Sequence, residues 1–421
     1  MTKFAYALAG VLIIAIVGTL VLRSGDTLDQ AGEYFTKGEY EEAKSILDRH
    51  LKRNPDDTKA KFLLAETMEQ MSDFKTVRGA EEIVELLEEI PDDAPEGLKA
   101  RLRTAQMALT SLNEVHRAEV HAKRALKLDP KNETASQVIW VIYQLTRRFP
   151  ILEPYFDTVY EAAKPSERTE LMKNWFLSQF RPFALNASFD RKININPGPA
   201  SESQRYNFFL DLEPDAPSPR AAGASYYLDA SKNKEALELL TAANIDRENA
   251  DDFFLGQLVE AYVGSGEVDE ALAEFKKWSG QKDGYMYLRT AAFIADEAEA
   301  DYDKALDLYQ RAMVFWPSPV DLRFRRRYIS CLKKAKKPEE AKKVEQELEV
   351  VGTWFERGLQ ERLTAAMRSL PSPVAIDQFV EFYKLIGRDK EAQRWADLKN
   401  KPKVQTTPMP GIGSEPTDSG F

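Results

Sequence analysis

The chain has 421 residues, 43% of them hydrophobic, and a formal net charge of −10. That length is ample for two hydrophobic cores, and the acidic balance excludes a general nucleic-acid binder, which needs a basic footprint for phosphate. A single cysteine, Cys331, excludes an intramolecular disulfide and a cysteine zinc cluster.

Residues 4–22 carry no charge for nineteen positions, with Val11, Leu12, Ile13, Ile14, Ala15, Ile16 and Val17 at the centre. That run is long enough to cross a bilayer core, so residues 1–23 are predicted to form an uncleaved transmembrane anchor. A cleaved signal peptide is the competing reading, because Lys3 supplies a charged start; the long apolar run and the absence of a small-x-small site before Arg23 count against it. Lys3 and the amino terminus against Arg23 alone predict the amino terminus in the cytoplasm and the rest of the chain outside it, in the periplasm if the cell is bacterial.

Residues 24–180 read as a first block of helical pairs. In the first pair, Leu28, Ala31 and Tyr34 form one stripe, and Tyr40, Ala43, Leu47 and Leu51 a second, at spacings of three and four. Gly38 can end the first helix in a left-handed conformation at no steric cost, and Pro55 follows the second. A second pair opens near Thr58 with Phe62, Ala65 and Met68 and carries extra residues before its second helix ends at Pro91. A third runs over residues 99–130, and a fourth from Glu133 includes Trp140, Tyr143 and Phe156. Residues 181–220 hold six prolines and no helical period, and are predicted to be a connection, partly ordered by Phe183, Phe189, Tyr206, Phe208 and Phe209. Residues 221–400 form a second block, with pairs near Ala236 and over residues 252–283, 286–319, 322–351 and 373–400. The tail, 401–421, is rich in Pro, Thr, Ser and Gly and is predicted to be disordered. Eight or nine helical pairs are expected in all.

One phrase recurs through these pairs. It reads Gly-Glu-Tyr-Glu-Glu-Ala from Gly38 to Ala43, and returns from Gly266 to Ala271, from Ala300 through Tyr302 to Ala305, and from Gly387 to Ala392. A proline lies twelve residues after the alanine in three cases: Ala43 to Pro55, Ala118 to Pro130 and Ala305 to Pro317. Ala271 and Ala305 are 34 residues apart. A small residue at a helix crossing, with a proline beyond the helix, describes one supersecondary unit used repeatedly. In phrase, spacing and proline, the chain resembles the tetratricopeptide repeat family. The resemblance implies an all-α solenoid of helical hairpins, stacked into a superhelix with a continuous core because no single hairpin can bury its own apolar face.

It also implies where partners would sit. In that family the first helix of each unit lines the concave surface, and its second, fifth, ninth and twelfth positions touch bound peptides. In the unit beginning at Leu322 these are Arg323, Arg326, Ser330 and Lys333, whose spacings of three, four and three place them on one helical face. Preceding units offer Phe253, Glu260, Tyr287 and Thr290. A cationic wall beside an aromatic shelf suits a protein or peptide segment carrying carboxylates; the alternative is a solvated surface paired with glutamates of the next repeat. The lysine and asparagine clamp of chaperone-binding members is absent, since Leu28 and Gly32 stand at the matching positions.

Catalytic chemistry is not legible. His50, His116 and His121 have no metal-ligand spacing, and there is no glycine-rich phosphate loop. Cys331 lies among Arg325, Arg326, Arg327, Lys333 and Lys334, which would activate an exposed thiol; a buried helical cysteine is the alternative. No cofactor, metal or enzymatic activity is expected. The sequence thus predicts a membrane-tethered interaction scaffold, with an extracytoplasmic chaperone for unfolded clients as the second reading.

Overall fold

A computed structural model of the protein describes residues 27–146, 148–179, 202–319, 321–354 and 365–399. The expected anchor and tail, and the first part of the expected connection, lie outside the described residues. Among the described residues no helix is long and apolar enough to cross a membrane. Every element there is helical.

Nine helical hairpins organise the described residues. The first block comprises α1 (Leu28–Lys37) with α2 (Tyr40–Arg53), α3 (Thr58–Gln70) with α4 (Val77–Glu88), α5 (Gly97–Met107) with α6 (Val115–Leu128), and α7 (Glu133–Leu145) with α8 (Glu153–Ala162), followed by α9 (Arg168–Gln179) and α10 (Glu202–Leu212). The second comprises α11 (Pro217–Asp229) with α12 (Asn233–Leu240), α13 (Asp252–Ser265) with α14 (Val268–Lys276), α15 (Tyr285–Glu297) with α16 (Tyr302–Ala312), and α17 (Leu322–Lys334) with α18 (Pro338–Trp354). The ninth pairs α19 (Pro373–Leu385) with α20 (Asp389–Lys399).

The recurring phrase has a single backbone explanation. Every residue with positive φ among the described residues is Gly38, Asn113, Ser231, Gly266, Ala300, Lys336 or Gly387, at φ between 50° and 85°. Each lies five positions before a buried alanine: Ala43, Ala118, Ala236, Ala271, Ala305, Ala341 and Ala392, all at 2% exposure or less. The left-handed residue ends the first helix, and the alanine lets the second cross it closely. Glycine adopts this conformation freely; Asn113, Ser231, Ala300 and Lys336 adopt it against a steric cost. The second hairpin departs from the pattern. A short helical turn, Ser72–Phe74, fills its connection, and Gly79 is required because a Cβ there would come within 2.4 Å of Phe74 backbone.

Pro55 and Pro130 follow α2 and α6 directly, beyond their C-caps Asn54 and Asp129. Pro317 does not: α16 closes at Ala312, and the intervening turn buries Trp316.

Two expectations are corrected. Residues 202–220 are not an irregular connection. They form α10, a turn over residues 213–216, and the first turn of α11, where Pro217 and Pro219 occupy positions whose N–H groups have no intrahelical acceptor to lose. Reading those prolines as breakers was the error. Phe209 is buried in the core of the first block.

The second correction concerns the C-terminal hairpin, which does not extend the second block. Phe379, Phe382, Tyr383 and Trp395 share a core with Phe156, Trp175 and Phe176 of α8 and α9. The Phe176 ring meets Phe379 edge-on at 4.9 Å, and Phe379 stacks on Trp395 at 4.3 Å. Ion pairs flank the contact: Arg394 with Asp157 at 2.7 Å, Arg388 with Glu153 at 2.5 Å, and Lys390 with Asp157. The Arg388 guanidinium also lies 5.7 Å from the centre of the Trp316 ring, at the end of α16. The hairpin therefore joins the close of the first block to the middle of the second.

The apolar interior is accordingly divided into three principal clusters, one over α1–α5, one shared by α6–α10 with α19–α20, and one over α11–α18. Between the last two lies a buried charge network. Glu119 of α6 pairs with Arg148 at 2.5 Å and Lys123 at 2.6 Å, and accepts a hydrogen bond from Ser218 of α11. Arg148 also reaches Asp251, the N-cap of α13. Burial opposes charge on Glu119, but Arg148 and Lys123 hold its carboxyl below the usual range. The network links α6 and the residues after α7 to α11 and α13, and losing one partner would leave an uncompensated buried charge.

Candidate partner-binding surface

Three first-position helices, α13, α15 and α17, stand side by side in the second block. α13 and α15 are largely apolar, and among the charges they carry Glu260 and Arg289 are buried at 2% and 4% exposure, as is Asp296 near the end of α15. Arg289 Nη1 donates to Glu260 Oε2 at 2.9 Å, and its Nε lies 3.3 Å from Asp321, the N-cap of α17. Tyr285 donates its hydroxyl to the same Asp321 at 2.9 Å.

α17 brings two further arginines to Glu260. Arg323 Nε lies 3.3 Å from Oε1, and Arg327 closes an ion pair on the same oxygen. The Arg327 guanidinium is also stacked 3.8 Å from the centre of the Phe293 ring on α15. Burial works against charge on Glu260, yet Arg289, Arg323 and Arg327 together hold its carboxyl well below the usual range. One buried carboxylate thus anchors three cations, one on α15 and two on α17. Arg323 remains short of acceptors: among the described residues its Nε and Nη1 have no hydrogen-bond partner, and Nη2 reaches Gln257 only at 3.5 Å.

The proposed wall therefore divides. Arg323 faces inward to Glu260 and, at 3.6 Å, Asp229. Arg326 and Ser330 are exposed, and Arg326 has no ion-pair partner among the described residues. Lys333 is exposed and paired with Glu345 of α18 at 2.6 Å. Arg325 is buried and reaches Glu347 of α18 at 3.1 Å. The expected pairing with glutamates of the next repeat is not what the described residues show: Arg325 and Lys333 pair with glutamates of α18, in their own hairpin, and Arg326 with neither.

The aromatic shelf is corrected. Phe253 is 2% exposed, packed in the core of the second block, and cannot meet a ligand. Tyr287 is half-buried, stacked on Phe275 at 5.4 Å and edge-on to Trp278 at 5.5 Å. Thr290 is buried as well. α13 and α15 present a packed polar ladder in place of an open aromatic surface.

Arg289, Arg327 and Asp321 were not among the expected site residues. Their signal was present, since Glu260 and Arg289, each flanked by apolar neighbours along its helix, need opposite charges across the helix interface.

The remaining reactive candidates are buried or paired within the fold. Burial, aided by Asp296, pushes the Cys331 thiol up to about 12 despite the nearby Lys334, so activation by the basic run is excluded. His50 pairs with Asp57, the N-cap of α3, and His116 with Asp246. His121 accepts from Arg101 at Nδ1 and meets Glu88 at Nε2, an arrangement of the neutral ring, in keeping with burial lowering its pKa. Among the described residues no three His, Cys, Asp or Glu side chains are grouped to hold a metal.

No family model and no curated protein matches the chain. Among solved structures it is similar to a tetratricopeptide repeat protein from Parabacteroides merdae, at 11% identity and a TM-score of 0.25, over 72% of this chain and 97% of that one. It is also similar to yeast Tom70, at 15% identity and a TM-score of 0.26, over 79% of this chain and 63% of that one. A third likeness is to a human IFIT1 dimer with m7Gppp-AAAA, at 13% identity and a TM-score of 0.29, over 88% and 89% of the two chains. Likeness at these values carries no argument. The class is set by the chain itself, whose left-handed turn residue and buried alanine, at a fixed offset in seven of the nine hairpins, make it a tetratricopeptide-like helical-hairpin repeat protein.

Proposed function

We propose that the protein is a membrane-tethered interaction scaffold that acts by noncovalent binding of protein or peptide segments, with residues 4–22 as its anchor. The observation that carries this reading is the exposed row Arg326, Ser330 and Lys333 on α17, set in an acidic chain and backed by arginines that Glu260 holds in place. A pre-positioned cationic face favours a carboxylate-bearing partner and discriminates against cationic ones. Tethering would raise the effective concentration of that face for membrane-associated partners, including factors of envelope assembly. The orientation proposed from Lys3 and Arg23 puts the repeats outside the cytoplasm. The alternative of a chaperone for unfolded clients is less favoured, because the aromatic groups it would use are packed: Phe253 is buried and Tyr287 is stacked between neighbours.

Affinity capture from solubilised membranes tests the reading. The full chain should retain discrete partners that a control bearing only residues 1–30 does not, and equal retention by the two would sink it. Protease treatment of intact cells, after opening any outer barrier, should cut the repeats; complete protection would reverse the orientation.

A further inference from the structure

The seven left-handed turn residues are not alike. Three are glycine, and Asn113, Ser231 and Ala300 are small; Lys336, at φ 62°, is the single long and charged one among them. A non-glycine residue held in this region carries strain that glycine would relieve, and of the four such residues Lys336 alone sets a charge at its turn. Lys336 is exposed at the turn from α17 to α18. Around it, residues 333–343 carry six lysines against two glutamates, a surplus of four positive charges in a chain whose net charge is −10.

Much of that segment is committed. Lys334 pairs with Asp296 and Glu297, Lys333 with Glu345, and Lys337 with Glu340 at 3.5 Å. Lys336, Lys342 and Lys343 have no ion-pair partner among the described residues, and all three are exposed. They follow directly on the exposed row Arg326, Ser330 and Lys333. The row and the turn therefore make one cationic track along α17 and over its C-terminal end.

We infer that Lys336 extends the partner site: an acidic protein segment bound along Arg326, Ser330 and Lys333 continues over the α17–α18 turn, where Lys336 receives one of its carboxylates. The inference rests on the scaffold reading and names the chemistry of the partner. A short acidic segment fits better than a membrane surface or a nucleic acid. Glu339, Glu340 and Glu345 interrupt the lysines, whereas an extended polyanion requires a broad, uninterrupted basic footprint.

Exchange at this one position separates binding from folding. A fluorescein-labelled deca-glutamate peptide is titrated with the detergent-solubilised full chain at low salt, and anisotropy is recorded. Wild type and Lys336→Arg are expected to bind alike, while Lys336→Gly binds about 3-fold more weakly yet melts at a higher temperature. Equal affinity of Lys336→Gly and wild type would overturn the inference; if Arg326→Glu still lost the peptide, the scaffold reading would stand without it. Failure of wild type to bind the peptide would overturn the acidic-segment chemistry, while partner capture would still test the scaffold. Tighter, Lys336-dependent binding to vesicles containing phosphatidylglycerol or to single-stranded DNA would overturn the choice of partner.

Discussion

Replacing Glu260 by glutamine tests the electrostatic design of the second block most sharply. The substitution preserves shape and removes the charge shared by Arg289, Arg323 and Arg327. Arg289 is 4% exposed and would retain only Asp321, 3.3 Å away, while the two α17 arginines would lose their common anchor. Removing one partner of a buried ion pair costs about 3–5 kcal/mol, because the opposite charge stays desolvated. Urea unfolding provides the assay, and Cys331 supplies a local probe: it is the single thiol of the chain and is wholly buried in the same block. With a slope of about 2 kcal/mol per molar urea, the midpoint for thiol exposure should fall by about 2 M. The pH dependence has a definite sign. The folded pKa of Glu260 is depressed below the ordinary 4.5, so its contribution is present above that value and is lost as pH falls toward the folded pKa. Wild type and Glu260→Gln should therefore converge in acid. A midpoint shift below about 0.5 M at neutral pH, or a constant difference across pH, would refute the account of Glu260 as the anchor.

Other consequences can be measured in the same way. Ala300→Gly relieves a left-handed alanine and should add about 0.5–1 kcal/mol of stability, whereas Gly38→Ala should remove about 1 kcal/mol, both read from urea midpoints. Glu213 accepts the backbone N–H groups of His116 and Arg117 at the start of α6, each at 2.8 Å. Burial, together with Glu114 and Glu119, raises its pKa from 4.5 to about 7. Its stabilising contribution is full below pH 4.5 and is lost as pH rises to about 7, so Glu213→Gln should flatten the stability profile in that window. Arg388→Ala strands Glu391, buried at 1% exposure, and releases Glu153. It should cost about 3 kcal/mol and make the C-terminal hairpin the first segment cut in limited proteolysis.

The local rules of this fold were legible because one backbone requirement repeats. Glycine at residues 38, 266 and 387, with alanine five positions on, marks the hairpin turn, and Ala300 was found because the rest of the phrase is intact around it. Asn113, Ser231 and Lys336 occupy the same conformation without resembling glycine, and the buried alanines alone betray them. The long-range arrangement was not legible. Nothing in the periodicity of residues 373–399 says that Phe379 and Trp395 belong beside Phe156 and Phe176, since the same apolar stripe would serve a hairpin stacked on α18. Pro217 and Pro219 were misread because proline ends a helix in one position and begins it in another. At the site, sequence spacing identified the exposed face of α17 but not its depth. Arg323 and Arg326 sit three residues apart on neighbouring parts of that face, yet the first is tied to Glu260 and the second is open.

The central claim is that the exposed cationic face of α17 recognises a partner, and a charge-reversal capture tests it most directly. Wild type and the Arg326→Glu, Lys333→Glu double variant are recovered side by side from solubilised membranes, with matching circular dichroism melts showing that both are folded. The account predicts that at least one discrete partner, held by wild type against salt of about 0.1 M, is absent from the variant. An unchanged set of retained proteins would contradict it.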